Sequence, residues 1–277
     1  MKIIGIYRAP RFSPNSVERD AAILNAVIET FKEKGHEVEC FEEDNISESH
    51  FNNVEAIFSM ARDTVNLERL ASWTKSCSYF PNRPQALLQA SRTFLTQLMA
   101  ALGIPQPKFE QINTSPPTLP LPFWLKRGDC CAQEKGDVCF IQTKTELEAT
   151  LNSFAKRQVT DILAFAHEKG DLVKFYGVAG TDFFHISHPT DTAQFSKFGL
   201  ESHNSQLNHY RFNQASLHKT ATALATASGL IIYGGDAIIR PDGSFAVIDF
   251  NDWPSFSACR NKAAQAIASL IHIERKS

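Results

Sequence analysis

The chain has 277 residues, of which 43% are hydrophobic and 21% charged, and its formal net charge is −2. That length suffices for two or three compact lobes with substantial cores, and the composition is that of an ordinary soluble globular protein. A slightly acidic chain has no global positive field to attract nucleic acid or an anionic membrane, so neither is expected as a partner.

Lys2–Tyr7 reads as a buried first strand, with too few apolar residues for a signal-peptide core. Val17–Lys34 is amphipathic, with Ala21, Leu24, Ile28 and Phe31 at helical spacing, and Gly35 closes it. His36–Phe41 starts the next strand and Ala56–Met60 is a third apolar run. Asn82-Arg83-Pro84 opens a helix from about Gln85 to Leu102, ended by Gly103-Ile104-Pro105. This alternation favours a parallel sheet with helices on its faces. The Pro-rich stretch Ser115–Pro122 is expected to mark a boundary between lobes.

Phe123–Lys126 then reads as a strand leading into the polar loop Arg127–Gly136, followed by a strand at Val138–Gln142 and a helix at Thr145–Lys156. Thr160–Ala166 and Leu172–Val178 are apolar runs around Glu168–Asp171, a hairpin-turn signal. Thr181–Phe212 is polar and irregular. Lys219–Ser228 is a helix, and strands Leu230–Ile239 and Phe245–Phe250 are joined by Pro241–Ser244. Ala221–Ile239 carries the least charge, but Gly229, Gly234, Gly235 and Asp236 interrupt it, so no membrane span is expected. The six cysteines show no CxxC spacing, and reduced thiols in the cytoplasm are the expectation.

The last two strands are the most informative. Asp is depleted in strands, yet Asp236 opens one apolar strand and Asp249 ends its neighbour. Residues two apart share a face, so Asp249 and Asn251 point the same way. A two- or four-residue loop centred on Asp242-Gly243 places Asp236 opposite Asp249, whereas a three-residue loop with a Gly bulge slips that register by one. Facing carboxylates repel unless a cation or a shared proton lies between them. Two carboxylates with an amide oxygen are hard ligands suited to Mg²⁺ or Mn²⁺. The competing use of such residues is at turns and helix caps.

Gly-x-Asp followed by three apolar residues, a short turn, then apolar-Ile-Asp-x-Asn-x-x-Pro resembles the closing motif of ATP-grasp enzymes. It looks closest to the inositol 1,3,4-trisphosphate 5/6-kinase branch and to bacterial ATP-grasp proteins of unassigned substrate. The resemblance implies an α/β chain of the ATP-grasp fold. An N-terminal parallel-sheet lobe (1–105) would precede two α+β lobes (106–166 and 167–277) that bind ATP between them. It also implies Asp236, Asp249 and Asn251 as metal ligands for Mg²⁺, or Mn²⁺, bridging ATP phosphates.

Further sites follow from the same resemblance. Lys126 matches a phosphate-contacting lysine before a mobile loop that covers the triphosphate. Lys174 stands mid-strand among apolar residues, where a charge needs an anionic partner, a protein carboxylate or a ligand phosphate, unless it snorkels from an edge strand. The related kinases have a lysine at that place. The hinge 164–168 is expected to meet adenine through backbone groups at Ala166 and His167, where relatives often carry Gln-Glu, and Arg92 matches a basic residue near the nucleotide. Cys131 and His188-Pro189 replace a His and an Arg-Pro of the inositol kinases, which speaks against an inositol polyphosphate.

The implied activity is ATP-dependent ligation of a carboxylate to an amine on a small-molecule or peptide substrate, with Lys126 and Lys174 as the catalytic cations. A small-molecule kinase and a nucleotide-binding protein without turnover are the alternatives. Five of the nine histidines (His185, His188, His203, His209, His218) share one polar stretch without zinc-site spacing, and a surface loop is the expectation. Vicinal Cys130-Cys131 beside Lys126 and Arg127 suggests a low-pKa thiolate, although an incidental role is the simpler reading.

Overall fold

A computed structural model of the chain describes residues 1–112, 115–189, 203 and 207–273. The first lobe is a parallel sheet of β1 (Lys2–Tyr7), β2 (Glu37–Glu42) and β3 (Ala56–Ser59) in the order β2-β1-β3. Central strand β1 is buried on both faces, which is why Ile3, Ile4 and Ile6 form a near-continuous apolar run. Helix α1 (Val17–Glu33) lays Leu24, Val27, Ile28 and Phe31 on one face, and α2 (Thr64–Trp73) lays Leu67 and Leu70 on the other. Sequence patterning alone passed over α2, whose start is set by the Asp63 side chain accepting from Asn66 N.

The expected single helix of 85–102 is two, α3 (Pro84–Gln89) and α4 (Arg92–Ala101). Ser91 breaks it, since its hydroxyl accepts from Phe94 N at 3.1 Å and so caps a new helix.

The second lobe is an antiparallel sheet of β4 (Phe109–Ile112), β5 (Phe123–Arg127), β6 (Val138–Ile141) and β7 (Ile162–Ala166), ordered β4-β7-β5-β6. Helix α5 (Lys144–Lys156) packs on it through Phe154. The Pro-rich stretch is not a lobe boundary. It joins β4 to β5 of one sheet, and Leu119 is buried in that sheet's core.

The third lobe is a sheet of β8 (Asp171–Val178), β9 (Phe184–Ser187), β10 (Ile232–Ile239) and β11 (Phe245–Asp252), ordered β11-β10-β8-β9. One face carries α4 and α6 (Gln214–Ser228), over Val173, Phe175, Ala237, Val247 and Phe250. Glu168–Asp171 is not a hairpin turn, because β7 and β8 belong to different sheets; it is the crossing between them, held by Glu168 and Arg240 at 2.9 Å. Strand β9 lies inside the stretch expected to be irregular, of which 190–202 and 204–206 fall outside the described residues. Helix α6 starts five residues before Lys219 because the Asn213 side chain accepts from Ser216 N.

The last helix, α7 (Arg260–Ile273), returns to the first lobe, where Ala264, Ile267 and Ala268 share a core with Val27 and Phe31. No helix among the described residues is long and apolar enough to cross a membrane.

Asn82 ties the first and third lobes together. It is 1% exposed, and its amide donates to Ile232 O and accepts from Ile232 N, both at 2.8 Å. Asn82→Ala leaves a buried N–H and a buried C=O unpaired, and is expected to lower stability by about 2–4 kcal/mol. Denaturant unfolding with an unchanged midpoint would contradict that assignment.

Candidate active site

The site begins with a register correction in the β10–β11 hairpin. Ile239 pairs with Phe245 and Arg240 N donates to Ser244 O, so Pro241–Gly243 is a three-residue loop with Gly243 at φ 81°. This is the slipped register, and continued unchanged it would set Asp236 against Ile248. A bulge between Asp236 and Ala237 removes the slip: Ala237 pairs with Val247, but Asp236 pairs with Asp249. Ile248 is the extra residue.

The bulge has two consequences. It reverses the alternation of β11, so that Phe245, Val247 and then Phe250 enter the core while Asp249 and Asn251 turn outward. It also takes the backbone of Ile248 out of the ladder, and the Ile248 carbonyl accepts from Lys126 Nζ at 2.9 Å. The close approach explains Gly235, where a Cβ would overlap the Asp249 carbonyl and the Phe175 ring.

Lys174 on β8 pairs with Asp236 in the sheet register, and its Nζ lies 3.4 Å from Asp236 Oδ1. Lys174, Asp236 and Asp249 therefore form a row across three adjacent strands. The expected anion beside Lys174 is, in this structure, a carboxylate of the protein. The Asn251 side chain lies close enough to Asp249 to favour its anion. Burial works against the Asp249 anion, but Arg92, Lys126 and the Asn251 amide hold its carboxyl below the ordinary value. Arg92 Nη2 lies 3.8 Å from Asp249 Oδ1.

This face looks across a cleft of about 590 Å³ onto the second sheet. That volume is in the usual range for small-molecule sites. Lys126 comes from the second sheet, is 8% exposed, and sits over the Phe165 ring at 5.0 Å. Burial pushes its ammonium down to about 8, against the pull of Asp249 and Asp236. Trp124, Phe165, Ala166 and Glu168 line the cleft beside it. Arg92 begins α4 and donates to the carbonyls of Arg127 and Cys130, so it also anchors the loop after β5.

Seven expected residues thus line one cleft: Arg92, Lys126, Ala166, Lys174, Asp236, Asp249 and Asn251. The His167 side chain does not; its Nδ1 accepts from Trp124 Nε1 at 3.2 Å, against the Phe140 ring. His203 packs on the same Trp124 and Phe140 rings. The suggested low-pKa thiolate is contradicted at Cys130, where burial and Asp129 push the thiol up to about 12.

The sequence reading missed the first-lobe wall. Arg8, Arg19, Asp20 and Arg62 of the first lobe line the cleft, joined there by Asp252 from the end of β11. Asp252 was the one legible from its place, directly after Asn251. Asp252 closes β11 and pairs with Arg8 and Arg62, and the next residue, Trp253, has φ 36° with its side chain fully buried. A left-handed conformation at such a residue is strained and persists because packing dictates it.

No protein-family model matches this sequence, and neither does any curated protein. Solved structures do match along its length. D-alanine–D-alanine ligase from Bacillus anthracis, complexed with ATP, aligns over 100% of both chains with TM-score 0.65 and 12% identity. A RimK domain ATP-grasp protein from Sphaerobacter thermophilus covers 98% of this chain and 99% of its own, with TM-score 0.69 and 16% identity. D-alanyl-alanine synthetase A from Vibrio cholerae covers 99% and 98%, with TM-score 0.70 and 9% identity. Agreement over the whole length, with three lobes around one cleft, shows that this chain has the ATP-grasp fold.

Proposed function

We propose that this chain is an ATP-dependent ligase joining a carboxylate to an amine through an acyl-phosphate, with Mg-ATP between the lobes 106–166 and 167–277. The observation that carries this reading is the convergence of Lys126, Lys174, Arg92, Asp236, Asp249 and Asn251 on one cleft. The first and second structures named above are described as an ATP complex and an ATP-grasp protein. Two of the three are described as ligases or synthetases of D-alanyl products, which favours ligation over the kinase alternative.

The donor set fits a hard divalent cation: an ionised Asp249, an Asp236 on the same face, and an amide oxygen at Asn251. Asp236, Asp249 and Asn251 would hold Mg²⁺, or Mn²⁺, which when bound offsets negative charge on the triphosphate. Lys126 and Lys174 would contribute two further cations to the phosphates, and backbone groups at Ala166 and His167 would meet the adenine. Attack by the substrate carboxylate on the γ-phosphorus forms the acyl-phosphate and releases ADP; the amine then attacks the acyl carbon and releases phosphate. Catalysis here is positioning and electrostatics, since no side chain needs to bond to the substrate.

The chemistry separates from a kinase by trapping. With an accepted substrate and hydroxylamine in place of the amine, ADP is expected to form together with a hydroxamate. Stable phosphorylation of a substrate hydroxyl would instead establish the kinase alternative.

Lys126 gives a pH signature. A bound polyanion raises its ammonium above about 8, so above that pH nucleotide binding takes up a proton. Affinity for Mg-ATP is expected to fall as pH rises from about 7 to about 9, with proton uptake visible by calorimetry in two buffers. Lys126→Met should weaken binding and remove that dependence. A wild-type affinity flat across this range would contradict the role.

A further inference from the structure

The phosphate contacts proposed above use none of the first-lobe wall, and its geometry is that of a second binding point. In the order β2-β1-β3 the chain leaves β1 towards β2 on one side and returns to β3 on the other. Ligands of open parallel sheets bind beyond the carboxyl ends of the strands where the order reverses. Here that place lies between β1 and β3. Arg8 directly follows β1 and Arg62 follows β3, and both line the cleft.

The two loops are fixed from beneath. Glu43 is fully buried, and its carboxylate accepts from Ala9 N at 2.9 Å, Arg62 N at 2.6 Å and Asp63 N. Every guanidinium nitrogen of Arg8 has an oxygen partner. It donates to Met60 O at 3.3 Å, Asp20 Oδ2 at 3.1 Å and Trp253 O at 3.1 Å.

Arg62 is different. Its Nη2 donates to the Asp252 carboxylate and backbone, but its Nε–H is buried without a hydrogen-bond partner among the described residues. Its Nη1 meets only the Cys131 thiol, on the loop after β5. A thiol sulfur is a weak acceptor, whereas a guanidinium matches a carboxylate in a two-point fork. A recessed arginine held on sulfur is under-satisfied.

We infer that Arg62 is the recognition point for a carboxylate of the acceptor substrate, and that Cys131 holds its place when the cleft is empty. The proposal rests on the ligase reading for calling that carboxylate the acceptor's. It assigns the acceptor to small molecules or peptides with a free carboxylate that reaches the first-lobe end of the cleft. Asp252 orients Arg62 from behind, and Arg8 braces Asp252, with Nη2 lying 3.7 Å from Asp252 Oδ2. A bound carboxylate takes the Nη1–H from sulfur and leaves the loop thiol free of the guanidinium.

Haloacetates test this without knowledge of the substrate. Iodoacetate and uncharged iodoacetamide both alkylate a thiol: sulfur bonds to the CH₂ carbon, iodide leaves, and the thiol proton goes to buffer. Their rate ratio at one cysteine cancels that cysteine's own reactivity. Site-resolved mass spectrometry should show the iodoacetate/iodoacetamide ratio about tenfold higher at Cys131 than at exposed Cys40, as one charge-assisted hydrogen bond predicts. Arg62→Gln should abolish that preference. In the unaltered protein succinate should suppress it and succinamide should not, a comparison that does not depend on the variant folding.

Equal ratios at Cys131 and Cys40 would overturn the proposal, as would a preference that Arg62→Gln leaves intact. Mg-ATP titration of the same samples separates the two claims. Anion preference in a protein that binds no Mg-ATP supports the recognition point and rejects the ligase reading. Mg-ATP binding without anion preference rejects the recognition point alone.

Discussion

Two carboxylates, Asp236 and Asp249, face each other across a β-ladder, and like charges so placed destabilise the pair that carries them. The structure around them is organised to offset that repulsion. Lys174 flanks Asp236 from β8, Arg92 approaches Asp249 from α4, and Lys126 reaches in from the second sheet to the bulged Ile248 carbonyl. Lys174 and Arg92 stand on the third sheet and on the helix packed against it, and Lys126 brings the second lobe into the same balance. The same convergence is what a triphosphate with its metal requires, which joins the folding constraint to the proposed function.

How the carboxylates come to face one another shows the reach and the limit of sequence reasoning. The pair, and Asn251 on the same face, was legible from Asp at strand ends and the period of two. The loop around Asp242-Gly243 left two registers open, and the loop that formed is the slipped one. A bulge at Ile248 restores the pairing, and nothing in an apolar Val-Ile pair announces a bulge. The strands β1, β7, β8 and β10 and the helix α1 were readable because burial on one or both faces imposes a period. Strands β4 and β9 were not, since their residues are largely half-buried and carry no clear alternation. The break between α3 and α4 was hidden because Ala90-Ser91 suits a helix interior nearly as well as a cap.

The first-lobe wall was invisible for a different reason. Arg8, Arg62 and Asp252 are far apart in sequence and become neighbours only where the parallel sheet of the first lobe meets the end of β11. What the chain does show, after the fact, is an arginine just beyond each of two adjacent parallel strands. The cleft thus has two chemically distinct walls: a row of lysine and carboxylate on the third sheet, and a guanidinium cluster on the first lobe. The first serves the phosphate chemistry of the proposed function, and the second is where the proposed recognition of an acceptor carboxylate would act.

The central claim is that the Asp236–Asp249 ladder, with Asn251, is a divalent-metal site serving ATP. Anomalous diffraction from a crystal grown with Mn²⁺ and a non-hydrolysable ATP analogue tests it most directly. The account predicts manganese peaks contacting Asp236, Asp249 and Asn251, beside the triphosphate. Manganese bound elsewhere, or nucleotide bound with these three side chains untouched, would contradict it.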